Sequence, residues 1–384
     1  MREGCHSDSK VENHSLNIAF VLWGGGIGGT ERLSLLLAAE LQTLGHNTSI
    51  VLIGDDGDLR PQLDRESLEW IALGIQRGRD VLHQPRRVAQ ALSTLDTEVA
   101  VLGSFGFLGS ALKVGGFRGA VIGVEHGALL ATPSLPVLKR ARCNLDRRIG
   151  ARGHDAEVAV SEFMLRLQAV VPHSRRLLCI RHGVKVPDIQ SPMPPFDRLR
   201  VGYVGRLIPG KGVDVTLRAL DQLRTLGSDI LPTLMIAGDG PDRPALEALA
   251  LELHLNDQVE FIGWTDDVTS FWEAQHISIV PSNEFVESFC MAAVEAMAHG
   301  RPSIVSDRGA LPELMVPDLT GSLVAPGDAS LLADAIARYS TSPELISTRG
   351  VAAHERAKRH FTIERCADEY VKLANQVIAD KYSS

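Results

Sequence analysis

The sequence predicts an α/β protein with two domains, each built on a parallel β-sheet. Three observations support this fold class. Short apolar runs alternate with helical patterns along the 384 residues, which is typical of βαβ units. A proline-rich stretch interrupts this alternation near the middle of the chain, and the alternation restarts after it. A chain of this length also exceeds what one hydrophobic core usually organises.

The first domain is expected to span residues 16–190. Residues 1–15 are polar and lack an apolar h-region, so they are predicted to form a disordered leader rather than a signal peptide. A glycine-rich loop follows the first strand and precedes a helix at Glu31–Leu44. The predicted strands of this half are Asn17–Trp23, Ser49–Ile53, Glu98–Leu102, Ala120–Val124, Val158–Val160 and Leu177–Ile180.

Four prolines between Pro187 and Pro195 mark a linker, which we interpret as a hinge. The second domain is expected to span residues 191–363, and residues 364–384 a C-terminal helix. The predicted strands are Leu199–Val204, Thr233–Ala237, Val259–Ile262, Ile277–Val280 and Ser303–Val305, and the helices are Val213–Leu226, Pro244–Leu253 and Phe289–Ala298.

The composition excludes several classes of protein. A formal net charge of −8 argues against a nucleic-acid-binding protein, whose surface needs a basic surplus. The five cysteines are scattered without a C-x-x-C pair, which predicts a reducing cytoplasmic compartment and neither disulfides nor a zinc site. No uncharged apolar stretch reaches the roughly 18 residues of a membrane span. A soluble protein that visits a membrane surface stays compatible with this composition.

The glycine run Gly24–Gly29 satisfies the G-x-G-x-x-G pattern of dinucleotide-binding folds. That pattern also requires an acidic residue about 20 positions later, and Asp55 lies somewhat too far along the chain. A dehydrogenase is therefore a distant alternative, and a purely structural turn is another. We favour a loop at an interdomain cleft, in which Gly28 and Gly29 approach a phosphate or a sugar.

Two glycine-supported turns follow strands of the second half. Gly205 and Arg206 come directly after a strand, and Lys211 follows five residues later, so both cations lie where open α/β sheets bind ligands. Two cations suit a diphosphate, although a solvated basic loop is the plain alternative. Gly238 opens the turn Gly238–Pro241 and permits close approach of a ligand, while Asp239 is equally consistent with a turn cap.

A third motif runs from Pro281 to Gly300. Glu287 is expected on the loop before a helix, and Glu295, eight positions later, about two turns inside it. Eight steps of 100° return near the same face, so both carboxylates can address one ligand. The amides after Ser288, those of Phe289 and Cys290, are expected at the helix N-terminus, where a phosphate is favoured. Carboxylates for hydroxyls, with amides and cations for phosphates, are the mixture that a nucleotide-activated sugar needs.

These motifs together resemble glycosyltransferase family 4, a group of retaining enzymes. The resemblance covers the chain from about Asn17 and includes G-G-T-E, G-R-L…K-G, G-D-G-P and the E-x7-E element. It implies the GT-B fold, two Rossmann-like domains with parallel sheets facing an interdomain cleft, and a C-terminal helix that packs back towards the first domain. It also implies a hexosyltransferase without a metal or other cofactor, acting on a nucleotide-sugar donor.

The resemblance assigns roles to individual residues. Arg206 and Lys211 would neutralise the donor diphosphate, Glu287 would bind hydroxyls of the transferred sugar, and Glu295 those of the ribose. His126, at the end of a strand, would lie near the transferred sugar. The Gly263-Trp264 pair would lie beside the nucleobase.

Two positions depart from the family pattern. The family usually has glycine where this chain has Cys290, and often asparagine where it has His182. The first departure bears on how closely the donor approaches. Neither changes the class of reaction that the resemblance implies.

The acceptor is expected to be a glycan or a lipid-linked molecule, as in cell-surface polysaccharide or glycolipid synthesis. Basic residues are concentrated between Lys139 and Arg152 and relieved only by Asp146. This stretch indicates either a solvated helix face or a peripheral contact with anionic lipids at the inner face of the membrane. The remaining alternatives are a phosphorylase or sugar-nucleotide epimerase of the same fold and a non-catalytic sugar-nucleotide-binding partner. The donor is expected to be a UDP- or GDP-sugar, and the sequence leaves open the sugar, the choice between uracil and guanine, and the oligomeric state.

Overall fold

The computed structural model describes residues 14–26, 28–76, 78–103, 107–127, 136–170, 174, 176–226 and 231–383. Most of the expected leader, residues 1–13, lies outside this part of the chain. The two remaining leader residues lead into the first strand, where the Ser15 hydroxyl donates a hydrogen bond to the Gly45 carbonyl. Within the described residues, no helix is long and apolar enough to cross a bilayer.

The first domain is organised around a seven-stranded parallel sheet of order β3-β2-β1-β4-β5-β6-β7. Its central strands are buried on both faces, which explains their nearly continuous apolar sequences. The strands are β1 (Asn17–Leu22), β2 (Asn47–Leu52), β3 (Glu69–Ala72), β4 (Val99–Leu102), β5 (Ala120–Glu125), β6 (Ala156–Ala159) and β7 (Leu177–Cys179). The helices are α1 (Gly29–Thr43), α2 (Arg60–Arg65), α3 (Pro85–Thr94), α4 (Leu108–Val114), α5 (Val137–Ala151) and α6 (Glu162–Ala169).

The second domain repeats this design with a six-stranded parallel sheet of order β10-β9-β8-β11-β12-β13. The strands are β8 (Arg200–Val204), β9 (Thr233–Ala237), β10 (Val259–Gly263), β11 (Ile277–Val280), β12 (Ser303–Ser306) and β13 (Gly321–Val324). The helices are α7 (Val213–Thr225), α8 (Arg243–Glu252), α9 (Val268–Glu273), α10 (Met291–Ala298), α11 (Leu311–Leu314), α12 (Ala329–Ser340), α13 (Pro343–His360) and α14 (Ile363–Tyr382). Two parallel-sheet domains confirm the predicted fold class.

The strand order reverses at one place in each sheet. β1 pairs with both β2 and β4, and β8 pairs with both β9 and β11, so the connections leave in opposite directions from these central strands. Open α/β sheets bind ligands at the carboxyl ends of the strands where this reversal occurs. The fold thus selects the loops after β1, β8 and β11 as the candidate site.

The helix α14 packs on the first domain although it follows the second in sequence. Its buried residues Cys366, Tyr370 and Leu373 share a hydrophobic cluster with Leu37 and Leu41 of α1. At the far end, the Lys381 ammonium donates to the carbonyl of Gly119.

The chain crosses between the domains at two adjacent places. The Val184 amide donates to the Phe361 carbonyl at 2.9 Å, and the Ile363 amide donates to the Val184 carbonyl at 2.9 Å. The two crossings therefore run side by side and are hydrogen-bonded to each other.

The proline-rich linker is fastened to the second domain by one buried side chain. The guanidinium of Arg301, which is fully buried, donates to the carbonyls of Ser191 and Pro192 at 2.9 Å each. It also donates to carbonyls of Trp272, Glu273, Gln275 and His299. The end of the linker is thus part of the second domain's packing, and any hinge motion is confined to the residues before it.

Several elements were absent from the sequence prediction. The edge strands β3 and β13 are short, and β3 begins with an exposed glutamate while β13 begins with glycine. Neither pattern is typical of a strand, and both depend on pairing with a neighbour.

Candidate active site

An ion pair lies at the strand reversal of the second sheet. Lys211 follows β8 and Glu287 follows β11, and the Lys211 Nζ lies 2.7 Å from the Glu287 Oε1. Glu287 is nearly fully buried, and its Oε1 also accepts a hydrogen bond from the Ser282 hydroxyl at 2.8 Å. The Lys211 ammonium lies 4.1 Å from the centre of the Phe285 ring, a cation–π contact. The pair is held from several sides.

The backbone of the Lys211 loop depends on glycine. Gly212 has φ of 76°, and a Cβ there would lie 1.9 Å from the carbonyl oxygen of Pro281. The loops after β8 and β11 therefore approach more closely than any side chain permits. This close approach is what brings Lys211 within reach of Glu287.

Arg206 lies on the same loop and faces the first domain. The Arg206 side chain is exposed. Burial raises the pKa of Glu31, and the positive charge of Arg206 opposes this shift. Glu31 lies in the first turn of α1, directly after the glycine loop. The loop after β8 and the N-terminus of α1 thus face each other across the interdomain cleft.

Glu295 is connected to the first domain by an arginine. The Arg32 guanidinium lies 3.5 Å from the Glu295 Oε1, and Glu295 is largely buried within α10. Burial raises the pKa of Glu295, and the positive charge of Arg32 opposes this shift. The arginine favours the ionised form of a carboxylate that would otherwise be costly to bury.

The helix carrying Glu295 begins later than predicted. We expected a helix over Phe289–Ala298, whereas α10 begins at Met291, so Glu287 lies four residues before the helix and not on one of its faces. The helix therefore begins two residues later than expected, while Glu287 lies on the loop before it, as predicted. Burial raises the pKa of the Cys290 thiol to about 12, and the negative charges of both carboxylates add to this shift.

Cys290 occupies a backbone conformation that favours glycine. It precedes α10 with φ of 129° and ψ of 90°. L-residues with a Cβ rarely adopt this region. The glycine usual at this position in the resembling family thus has a conformational reason, and the cysteine stores strain beside the candidate phosphate site.

Ser288 connects the site to the first domain. Its hydroxyl donates to the His126 carbonyl at 2.6 Å, and its own carbonyl accepts from the Ser161 hydroxyl at 2.8 Å. Phe289, the next residue, is buried and its ring packs against the ring of His182. The side chains of both predicted donor-binding residues are thus engaged within the protein.

His126 follows β5 in the first domain, near the interdomain contact made by Ser288. Burial of the ring lowers its pKa to about 4, so the imidazole is neutral at neutral pH. The ring lies 5.2 Å from the ring of His182, centre to centre. A neutral imidazole at this position can donate or accept a hydrogen bond but carries no charge.

The residue that precedes His126 takes part in an ion pair. Glu125, the last residue of β5, accepts a hydrogen bond from the buried guanidinium of Arg147 in α5. Burial raises the pKa of Glu125 to about 7, and Arg147 opposes that shift. We consider Glu125 ionised, because the short contact with a guanidinium stabilises the carboxylate form.

The predicted glycines differ in their surroundings. A Cβ at Gly238 would lie 1.9 Å from the Gly205 carbonyl oxygen, so these two glycines pack the loops after β8 and β9 together. Among the described residues, a Cβ at Gly29 would meet nothing within 4 Å, and one at Gly28 would approach only the flexible carboxylate of Glu31, at 2.8 Å. Within this part of the chain, Gly29 therefore borders open space at the start of α1, as a ligand-facing loop would.

Gly263 and Trp264, the remaining predicted donor-binding residues, lie at the carboxyl end of β10. Gly263 ends β10 with φ of 76°, and its carbonyl accepts a hydrogen bond from the Gly238 amide at 2.7 Å. Trp264 is 53% exposed. An exposed aromatic ring at the carboxyl end of the sheet is available for stacking.

Sequence reasoning missed Arg32 and Arg147. Both are ordinary helix residues by pattern, and each acquires its role from a partner distant in sequence. For Arg32 a signal was present, because it directly follows the G-G-T-E motif that the family resemblance singled out.

Comparison with known proteins agrees with these observations. Residues 188–356 match the family described as Glycosyl transferases group 1. The lipopolysaccharide core biosynthesis mannosyltransferase LpcC of Rhizobium leguminosarum is 29% identical over 225 residues, which cover 56% of this chain and 62% of that protein. The chain therefore matches less than two thirds of the length of that relative.

Solved structures share the fold over nearly the whole chain. The sucrose-phosphate synthase of Thermosynechococcus elongatus has a TM-score of 0.79 at 22% identity, covering 95% of this chain and 100% of that one. HepE of Anabaena in complex with UDP and glucose has a TM-score of 0.77 at 20% identity, covering 94% of this chain and 99% of that one. The predicted GT-B fold is confirmed.

Proposed function

We propose that this chain is a retaining glycosyltransferase that moves a hexose from a nucleotide diphosphate to a glycan or lipid-linked acceptor, without a metal ion. The observation that carries the proposal is the Lys211–Glu287 pair at the strand reversal of the second sheet, with Arg206 on the loop that carries Lys211 and Glu295 in the helix that follows Glu287. The match of residues 188–356 to Glycosyl transferases group 1 supports it. So does the shared fold of HepE, which is described with UDP and glucose.

Donor binding follows from the charges that face the cleft. Arg206 and Lys211 supply two cations for the diphosphate, and Gly28 and Gly29 leave room for it at the start of α1. Glu287 then exchanges part of its contact with Lys211 for hydroxyls of the transferred sugar. Glu295, whose ionised form Arg32 favours, accepts hydrogen bonds from the ribose.

The reaction breaks the bond between the anomeric carbon and the diphosphate oxygen. The acceptor hydroxyl oxygen forms the new bond to the same carbon from the same face, and its proton passes to the departing diphosphate. Negative charge grows on the diphosphate as it leaves, so fixed cations stabilise the transition state more than the ground state. This cationic clamp takes the place of a metal ion.

His126 contributes a neutral hydrogen-bonding group on the acceptor side. Its depressed pKa keeps it uncharged, so it can contact a sugar hydroxyl without repelling the cations of the second domain. Glu125 and Arg147 hold the end of β5 in place behind it.

The first experiment is a thermal-shift screen against UDP-, GDP- and ADP-sugars, followed by detection of the released nucleotide and of the product's anomeric configuration. Saturable stabilisation by one nucleotide sugar and a product of retained configuration are expected. Turnover with inversion would refute retention, and binding without turnover on any acceptor would favour a non-catalytic partner protein. Interconversion of the sugar without transfer would favour the epimerase alternative.

A further inference from the structure

The outer face of α5 carries an unusual set of side chains. Val137 is 83% exposed, Leu138 is 86% exposed and Leu145 is 57% exposed, and Ile149 is also exposed. Single exposed apolar residues are common on soluble proteins, but several on one helix of 15 residues are not. Exposing them to water is unfavourable unless something covers them.

The exposed apolar residues form one stripe. Leu138, Leu145 and Ile149 are separated by seven and four positions, which are the spacings of residues on one face of a helix. Arg147 lies on the opposite face, where it is buried against Glu125. The stripe therefore points away from the domain.

Basic side chains flank the stripe. Lys139, Arg142, Arg148 and Arg152 are all exposed on α5 or at its end, whereas Asp146 is the single acidic residue between positions 137 and 152. Asp146 is half-buried, and its Oδ2 lies 4.0 Å from the Nε of Arg142. The expectation that the basic stretch forms one surface was wrong for Arg147, whereas the four named bases keep an outward position.

We propose that the outer face of α5 docks into the interfacial region of an anionic lipid bilayer. An apolar stripe bordered by arginine and lysine is the pattern of helices that lie in the headgroup region with their apolar side chains inserted. The cations face anionic lipids while the chain as a whole carries a net charge of −8, so the attraction is local to this face. A second copy of this chain is a poorer partner, because pairing two such helices places arginines against arginines.

This docking has a consequence for the acceptor, which rests on the proposed function. The inner face of α5 holds Glu125 through Arg147, and Glu125 directly precedes His126. A bilayer in contact with α5 thus lies on the same side of the first domain as His126, the residue that the proposed function places near the acceptor. The proposal selects a lipid-linked acceptor over a soluble glycan.

The test is sedimentation of the full chain with vesicles of phosphatidylcholine, and with vesicles that also contain about one third phosphatidylglycerol. The protein is expected to pellet with the anionic vesicles at low salt, less at high salt, and little with phosphatidylcholine alone. Absence of pelleting at low salt, or equal pelleting with both vesicles, would overturn the proposal.

Two double variants separate the contributions. Leu138→Ser with Leu145→Ser should weaken partitioning at least about tenfold, because the inserted apolar groups are lost. Arg142→Ala with Arg148→Ala should weaken it about thirtyfold, at about fivefold for each basic residue. All four side chains are exposed, so the fold is retained, which circular dichroism checks.

Matched controls carry the same substitutions on the second domain. Leu251→Ser with Leu331→Ser replaces two leucines that are 60% and 46% exposed, and Arg218→Ala with Arg359→Ala removes two exposed bases. These variants should pellet like the unmodified protein. An equal loss in the controls would show that no particular face is responsible, against the proposal.

Further measurements separate this inference from its rival and from the proposed function. A dimer in analytical ultracentrifugation that the Leu138 and Leu145 substitutions abolish would assign the stripe to a contact between copies and overturn the proposal. Donor binding in the thermal-shift screen is read without vesicles. Vesicle binding with no nucleotide-sugar binding would support the membrane face while refuting the proposed function. Nucleotide-sugar binding with no vesicle binding would support the proposed function while refuting the membrane face.

Discussion

The ammonium of Lys211 lies 2.7 Å from a carboxylate oxygen of Glu287, and these residues follow the two neighbouring strands between which the second sheet reverses its order. The pair places an ammonium directly against a carboxylate that is nearly fully buried. It also keeps a cation pointed at the place where a diphosphate would bind. A substrate that offers both phosphates and hydroxyls satisfies the two partners at once.

Replacing Lys211 with alanine is expected to lower kcat by about 100-fold or more, the scale of losing one transition-state donor. Steady-state kinetics with the nucleotide sugar found in the screen measures this effect. The control is Lys372→Ala on α14, an exposed lysine that should leave kcat unchanged. An unchanged kcat with a raised KM would show that Lys211 only binds the donor.

Replacing Arg32 with alanine is expected to raise the donor Kd about tenfold, because burial then favours the protonated form of Glu295, which accepts fewer hydrogen bonds. Isothermal titration measures the Kd. The control is Arg65→Ala, which removes another ion pair between the domains. In that pair the Nη2 of Arg65 lies 3.4 Å from the Oδ2 of Asp266. Equal losses in the two variants would assign the effect to domain contact in general.

Replacing Cys290 with glycine is expected to raise the free energy of unfolding by about 1 kcal/mol. Relief of a strained φ contributes about 1–3 kcal/mol, and the greater freedom of glycine in the unfolded chain offsets part of it. Urea denaturation measures the change. The same substitution at Cys143, inside α5, should instead destabilise by about 0.5–1 kcal/mol, and a loss at both positions would contradict the strain assignment.

Replacing His182 with asparagine is expected to flatten the pH dependence of stability below about pH 6.5. Burial, together with the neighbouring His126 and the positive charge of Arg365, lowers the pKa of His182 well below its ordinary value. Between the pKa of His182 in the unfolded chain and its lower pKa in the folded protein, the unfolded chain binds more protons than the folded protein does. The stability that is present above the unfolded pKa is therefore lost as the pH falls towards the folded pKa. Thermal unfolding from pH 7.5 to 5 measures this, and parallel curves for the two proteins would refute it.

Replacing Arg301 with lysine is expected to destabilise the protein by about 3 kcal/mol or more, because an ammonium cannot satisfy the buried carbonyls that the guanidinium now serves. Chemical denaturation measures the loss. Arg218→Lys on the exposed face of α7 is the matched control and should be neutral. A small effect at Arg301 would mean that the linker is held by other contacts.

Local patterns predicted the strands and loops of the second domain because those motifs combine apolar runs with glycines that the backbone requires. Gly212 and Gly238 are examples, since each allows two loops to touch. Patterns failed where a role depends on the placement of one domain against the other. Arg32 reaches Glu295, and Ser288 reaches His126, across a sequence distance that no periodicity describes.

The position of Arg147 shows the same limit in a different form. Within a run of basic residues nothing in the sequence distinguishes it from Arg148. Only the docking of α5 on the end of β5 turns one guanidinium inward to Glu125 and leaves the next exposed.

The packing of α14 on the first domain also determines the order in which the protein can fold during translation. The apolar face of α1 is synthesised early, but Cys366, Tyr370 and Leu373, which cover it, follow the entire second domain. At ordinary rates of synthesis, the ribosome needs about 15–65 s to make the chain between α1 and α14. Of the two domains, the one that is synthesised first is therefore completed last, and in the interval the apolar face of α1 is exposed to water.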